Sequence, residues 1–373
     1  MASYSSTGGF GTDLRRVGID PNFWYPIARS TDVKSGALLG ASFAGDPIML
    51  GRTESGRIFA LEDRCAHRQV PLHLGAICGE KLQCGYHGWK YDTSGKVSGI
   101  PYLPKGAPRP PRGVRAYPSR EAYGLIFVFT GEAERADTTP FPEIPQYDDA
   151  TRLTMCYSRR IQCHYTFMHE NLIDMSHQFL HRRVMGFVQP VLQDYRRGEN
   201  WVEARYMFDR VPGGSYLIGA DFMVAGGRRK KAAEDKNGDA DRELMTIRTQ
   251  YPYQLLSVWL PGDDDSVFDL WAAYVPVDRE QRTNHSYGIL CIKKPGFPGL
   301  MQLLKPFIRY FIGRVFREDQ MIVEAEQQAW ERQGRDRNHE VFPLLLELRE
   351  MLAHNGVAPA SIGNGASASI DAD

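Results

Sequence analysis

Between Cys65 and His87 the chain reads Cys65-Ala66-His67, sixteen intervening residues, then Cys84-Gly85-Tyr86-His87. Two thiols and two imidazoles spaced as CxH and CxxH can converge on metal, and any fold must bring both ends of this stretch together. Zinc accepts such ligands, but its Cys2His2 fingers use a different spacing. A [2Fe-2S] cluster explains the set better, with two thiolates on one iron and two imidazoles on the other. The bland alternative is a chance pairing of structural cysteines with core histidines.

The rest of the composition narrows the class. The chain has 373 residues, room for about two domains. Its Lys+Arg and Asp+Glu totals are equal at 45 each, which gives no sign of nucleic-acid binding. Besides Cys65 and Cys84, the other four cysteines show no disulfide framework, so a reducing, cytoplasmic setting is expected. The N-terminus has no apolar core of a secretory signal, and no apolar run approaches the roughly 18 residues of a spanning helix.

Along the chain, residues 1–20 read as a flexible N-terminus. Residues 21–140 read as a small β domain that holds the cluster in two loops. The runs Pro47-Ile48-Met49-Leu50 and Ile58-Phe59-Ala60-Leu61, joined through Thr53-Glu54-Ser55-Gly56, predict a hairpin. A proline-rich linker leads to a second domain over 151–350, with strand-like runs at Trp201 to Phe208, Glu243 to Thr249, Leu255 to Leu260, Phe268 to Val275 and His285 to Ile292. These predict an α+β architecture on an antiparallel sheet. Gly226 to Glu243 reads as a charged, solvated loop, and 356–373 as a disordered tail. An amphipathic helix is predicted from Gly299 to Phe316, with Leu300, Leu304, Phe307, Ile308, Phe311 and Val315 on one side. Packing on the sheet is the default for that stripe; a cavity wall and an interfacial membrane contact are the other options.

A second cluster of ligand types lies at His164 to His181, reading HYTFMHENLIDMSHQFLH. Read as one helix, Asp174, His177 and His181 fall within roughly 60° of arc. Two histidines and a carboxylate with open positions left over suit a non-haem Fe(II) site that binds dioxygen. His164 and His169 lie too far back on such a helix to share its face, and packing or hydrogen bonding is the simpler reading for them.

The Cys65–His87 stretch resembles the Rieske motif, including Arg68 and Gly88-Trp89 at its flanks. Asn171 to His177 followed by His181 resembles the mononuclear-iron motif of Rieske non-haem iron oxygenases, and the chain is similar to their α subunits, nearest the vanillate- and dicamba-demethylase kind. The resemblance implies a [2Fe-2S] cluster on Cys65, His67, Cys84 and His87, and Fe(2+) on His177, His181 and a late aspartate. In Phe316-Arg317-Glu318-Asp319 that aspartate is Asp319, with Glu318 and Glu324 as competitors. Asp174 is implied not to ligate but to bridge His177 to His87 of a neighbouring copy. It further implies an all-β Rieske domain followed by a helix-grip-like antiparallel catalytic domain. A homotrimer and a separate ferredoxin or NAD(P)H-dependent reductase belong to the same expectation; no membrane contact does. The expected activity is hydroxylation or oxidative demethylation of a small cyclic or aromatic substrate. The alternatives are a pigment-directed, pheophorbide-oxygenase-like activity and a Rieske electron carrier.

Overall fold

The computed structural model describes residues 12–108, 113–186, 188–210, 244–260, 263–297 and 299–358. The charged insert at 226–243, residues 1–11 and the tail from 359 onward lie outside the described residues. The chain divides into two compact units that do not follow chain order: one holds 162–270 and 292–359 with the N-terminal 18 residues, the other 19–161 and 271–291.

The second of these units is built on short antiparallel strands. Leu38–Phe43, Asp46–Arg52, Ile58–Glu62 and Ala116–Tyr117 form one sheet in that order. The predicted hairpin is its centre, with Leu50 opposite Ala60 and the Gly56 N–H closing the turn on the Thr53 carbonyl at 3.0 Å. Ala76–Cys78, Lys81–Gln83, Lys90–Tyr91 and Val97–Gly99 form a second sheet. Met49, Phe59, Leu61, Leu72, Leu82 and Tyr91 pack into one core together with Cys65 and Cys84. Each such fully buried aliphatic or aromatic side chain contributes about 1.5–3 kcal/mol. Tyr25–Arg29, Leu125–Val128 and Ser119–Ala122 make a third sheet around the wholly buried Leu125–Val128. Strands Arg152–Ile161, Asn284–Lys293 and Phe268–Pro276 lie side by side in that order.

In the other unit Val188–Arg197, Trp201–Arg210, Leu244–Gln250 and Tyr253–Trp259 run antiparallel, each to the next. Helix α1 (Tyr165–Ile173) packs against them through Leu244–Gln250. Helices α2 (Arg182–Met185), α3 (Leu300–Gln333) and α4 (Pro343–Asn355) complete the described helices. The α+β expectation therefore stands.

Four expectations change. His164 to His181 is not one helix: α1 stops at Ile173, Asp174 caps both it and the 3-10 turn Met175–Phe179, and α2 begins only at Arg182. The Asp174 carboxylate accepts the Ser176 N–H at 2.9 Å, so a short polar side chain takes over from the helix ladder. Helix α3 runs 34 residues rather than stopping near Phe316, carries Pro306 within it, and ends at Gly334 with φ of 70°. Its predicted stripe also divides, because Ile308 is buried while Phe307 is 66% exposed. The segment before residue 20 is ordered where described. Leu14 is buried, and Arg15 pairs with Glu170, whose carboxylate also takes Arg349. That buried ion network accounts for the acid in the His169-Glu170-Asn171 run. Val357, in the segment expected to be disordered, pairs with Gly18 at 2.7 and 2.8 Å.

Candidate metal centres

In the strand-rich unit the loop after Ile58–Glu62 carries Cys65 and His67, and the loop between Lys81–Gln83 and Lys90–Tyr91 carries Cys84 and His87. Each loop is closed by its own backbone: Gln69 N–H on the Cys65 carbonyl at 2.8 Å, and Gly88 N–H on the Cys84 carbonyl at 3.1 Å. Gln69 and Gly88 take positive φ values of 60° and 68° to make these turns. The result is asymmetric. Both cysteines are 1% exposed, whereas both histidines are exposed, with ring centroids 4.6 Å apart. Trp89 stacks on His67 at 4.9 Å and 2°, fixing that ring.

The Tyr91 hydroxyl accepts the Ala66 N–H at 3.0 Å and lies 3.1 Å from Cys65 Sγ, to which it can donate. Burial pushes the phenol pKa up, so the O–H stays a donor. Burial, then the nearby Cys65, raises the Cys84 thiol, a penalty that iron removes when it takes the thiolate. Partial shielding of this exposed ring by its neighbours, then the charges of His67 and Arg68, lowers His87, which favours the neutral imidazole. Two buried thiols close enough to interact, and two imidazoles on the solvent side, fit a cluster held by sulfur inside and nitrogen outside. His73 steadies the first loop: its main-chain N–H and ring both bond the buried Asp63 carboxylate.

The two loops also meet closely. A Cβ on Gly85 would sit 2.5 Å from the Leu74 carbonyl oxygen, and one on Gly75 2.2 Å from that of Gln83. Gly85→Ala should therefore cost about 1–3 kcal/mol by overpacking. A lowered denaturant midpoint together with loss of cluster per chain would show it; an unchanged midpoint would contradict it.

In the helical unit, His177, His181 and Asp319 each offer one ligand atom, all within 4.8 Å of one another. His177 comes from the 3-10 turn, His181 from the residue capping α2, and Asp319 from the middle of α3. The hydrogen bonds set the tautomers. His177 Nδ1–H donates to the Asp174 main-chain carbonyl, leaving the Nε2 lone pair 3.7 Å from Asp319 Oδ1. His181 Nδ1 is 2.9 Å from Glu318 Oε2, and its Nε2 is 3.1 Å from Asp319 Oδ1. Two ring nitrogens and a carboxylate oxygen thus point at one place, an arrangement that a cation satisfies. In the metal-free chain burial opposes charge on His181, but the hydrogen bonds and charges of Asp319 and Glu318 outweigh it and raise its pKa. A proton there has to leave before a metal can bind.

The other expected residues separate. Glu318 sits on the far nitrogen of His181, and Glu324 accepts the Gln162 N–H at 3.0 Å. Asp174 touches His177 through its carbonyl rather than its carboxylate. His164 caps α1 by accepting the Thr166 N–H, and burial takes His169 down to about 3, so both remain neutral side chains of the core. A cavity over His177, His181 and Asp319 is lined by Leu172, Met175, Phe208, Met245, Leu256, Val258, Phe268, Phe311 and Val315, among others; the cavity wall offered as a lesser option for the α3 stripe holds for Phe311 and Val315, and the sequence reading missed the rest. The remaining walls come from strands and α3 far apart in the chain, so no local pattern marks them.

A sulfur-and-imidazole cluster cradle and a two-histidine, one-carboxylate cradle under an apolar cavity define an iron redox enzyme with two centres. Residues 23–118 match the Rieske [2Fe-2S] domain family, and 161–344 the vanillate O-demethylase oxygenase C-terminal domain family. The chain is 31% identical to a 4beta-methylsterol monooxygenase of Methylococcus capsulatus, over 86% of this chain and 84% of that protein. It is 26% identical to the methylxanthine N3-demethylase NdmB of Pseudomonas putida, over 82% and 81%. A solved dicamba monooxygenase bound to dicamba shares the fold, with a TM-score of 0.69, covering 92% of this chain and 98% of that one at 21% identity. The chain belongs to the Rieske non-haem iron oxygenases, as an α subunit. It is an oxidoreductase with a [2Fe-2S] cluster and a mononuclear iron, and small-substrate oxygenation is supported over the pigment-directed alternative. A stretch of 117 residues is also 35% identical to the oxidoreductase NdmD of Pseudomonas putida, over 31% of this chain and 20% of that protein. Among the described residues no helix is long and apolar enough to cross a membrane.

Proposed function

We propose that Cys65 and Cys84 hold one iron of the cluster and His67 and His87 the other, and that His177, His181 and Asp319 hold the mononuclear Fe(2+). The substrate in this reading is a neutral, apolar cyclic molecule that is hydroxylated or oxidatively demethylated. One observation carries the substrate class. Apart from the three ligands, Gln178 is the sole polar residue lining the cavity, and no lysine or arginine does so among the described residues. An aromatic acid would leave its carboxylate desolvated against Leu, Met, Phe and Val, at a cost of several kcal/mol. The printed name of the methylsterol relative agrees with a lipophilic ring carrying a methyl group.

The cluster supplies electrons one at a time, and the mononuclear iron, when bound, supplies dioxygen activation. The balance for hydroxylation is R–H plus O2, two electrons and two protons giving R–OH and water. This chain's side chains do the positioning. Phe311, Ile312, Val315 and Phe316 of α3 press substrate toward Asp319 on the same helix, and the apolar walls exclude bulk water. Electrons come from a separate ferredoxin or reductase, and the working assembly is a homotrimer that passes them between copies.

Product analysis with a supplied ferredoxin and reductase tests the substrate class. Methylated alicyclic substrates should be oxidised with coupled O2 uptake, and vanillate-like acids should not. Turnover of the acids alone would reject it. Separately, Cys65→Ser or His87→Ala should abolish the visible absorption and the reduced-state EPR signal of the cluster. An unaltered spectrum in either would reject the ligand assignment.

A further inference from the structure

The 3-10 turn Met175–Phe179 gives two consecutive side chains to the cavity lining: His177, a metal ligand, and Gln178. The turn is held by its own backbone, with the His181 N–H on the Gln178 carbonyl at 3.0 Å and the Leu180 N–H on that of His177 at 2.7 Å. Gln178 is only 8% exposed, yet its side-chain Oε1 is buried with no hydrogen-bond partner among the described residues. A buried amide oxygen in that state is costly, and native structures carry few of them. The other two buried glutamines described in the helical unit are tied into the fold. Gln254 Nε2 donates to the His169 carbonyl at 3.0 Å and to Thr249 Oγ1 at 2.7 Å. Gln327 Oε1 accepts the His164 N–H at 2.9 Å, and its Nε2 donates to Glu331 at 3.0 Å. Gln178 Oε1 ties nothing together. The cavity supplies no substitute partner, because apart from the metal ligands its other lining residues are all Leu, Met, Phe, Val or Ile.

We propose that Gln178 determines specificity for a ring hydroxyl: its amide hydrogen-bonds one neutral –OH on an otherwise apolar cyclic substrate. The inference rests on the apolar-substrate reading and narrows it to cyclic alcohols. The ligand chemistry follows from the amide. Oε1 needs a donor, which ethers, esters and ketones lack. A half-turn of the amide presents Nε2 in its place, and a hydroxyl answers either face because it both donates and accepts. A charged donor such as an ammonium would be stranded against the apolar walls, as a carboxylate would. One hydrogen bond at one fixed point also orients the ring, which a wholly apolar wall cannot do.

The test is equilibrium binding to the iron-loaded protein, with its cluster oxidised and no reductant, read by headspace partition of menthol and of its parent hydrocarbon p-menthane. In an apolar cavity without a polar partner the alcohol is the weaker ligand, because its hydroxyl leaves water and gains nothing. The wild type should instead bind menthol at least as tightly as p-menthane. Gln178→Met keeps the length of the side chain and removes the amide. It should weaken menthol binding about 10–100-fold, with p-menthane bound no more weakly than before. Its denaturant midpoint should not fall, since apolar surface replaces an orphaned oxygen. A lowered midpoint with equal losses for both compounds would make Gln178 a structural residue and overturn the proposal. Tighter binding of p-menthane than of menthol by the wild type would overturn it too, without any variant. In that case the apolar-substrate reading stands and only the hydroxyl falls. If neither compound binds the wild type, the apolar-substrate reading fails and this inference fails with it.

Discussion

Asp174→Asn should leave both metal centres loaded and cut turnover by about 100-fold, the upper end for a group that orients a metal ligand from outside. The backbone part of the site survives this change, because His177 is held by the Asp174 carbonyl, which the substitution keeps. The amide oxygen can still cap the Ser176 N–H that the carboxylate accepts at 2.9 Å. What the substitution removes is the second carboxylate oxygen as an acceptor, the part that the proposed bridge to His87 of another copy would use. The measurement is single turnover with a pre-reduced cluster: on addition of substrate and O2 the cluster should stay reduced. Rapid reoxidation in the variant would remove Asp174 from the route and, with it, the argument for a trimer built around that contact.

Asp319→Ala should abolish mononuclear iron binding and turnover while leaving the cluster spectrum unchanged, since no cluster ligand lies near it in its compact unit. Glu318→Gln separates the neighbouring acid from this role. Glu318 lies 2.9 Å from His181 Nδ1, on the side away from Asp319. It therefore acts as a positioning residue that holds the ring with Nε2 toward the metal. Its amide variant should retain iron stoichiometrically at saturation but bind it about 10–100-fold more weakly. Titration of Fe(2+) into the stripped protein, read against the cluster absorbance, distinguishes the two. Full iron content in Asp319→Ala with loss in Glu318→Gln would move the third ligand by one residue.

Much of this was legible in the sequence because the cluster motif is short: Cys65, His67, Cys84 and His87 belong to two loops of one small β unit, close together in the chain, where spacing reports geometry directly. The strands were legible for the same local reason, and Trp201–Arg210 or Phe268–Pro276 differ from expectation only at their ends. The His164–His181 stretch misled because apolar and ligand residues recur at helical spacing on both sides of Asp174, while the capping tendency of an aspartate was outweighed by that period. Helix α3 was cut short at the charged Arg317-Glu318-Asp319 run, although Gly334, the residue that terminates it, stood in the sequence. Apart from Phe311 and Val315 of the α3 stripe, the cavity walls, like the Glu318–His181 contact, are products of chain segments brought together from afar, and single-sequence patterns carry no signal for them.

The separation of the ligands along the chain has a consequence for how the protein matures. The four cluster ligands fall within residues 65–87, inside a β module whose early strands are complete by Val128. His181 and Asp319 are 138 residues apart. As the chain emerges from a ribosome, its early β module can fold and receive inorganic sulfide and iron while the later half is still being made. The second iron has no seat until α3 has been synthesised and packed. Iron starvation during expression should accordingly yield protein that is coloured but inactive, and late addition of ferrous ion to the purified chain should restore its catalysis without new protein synthesis.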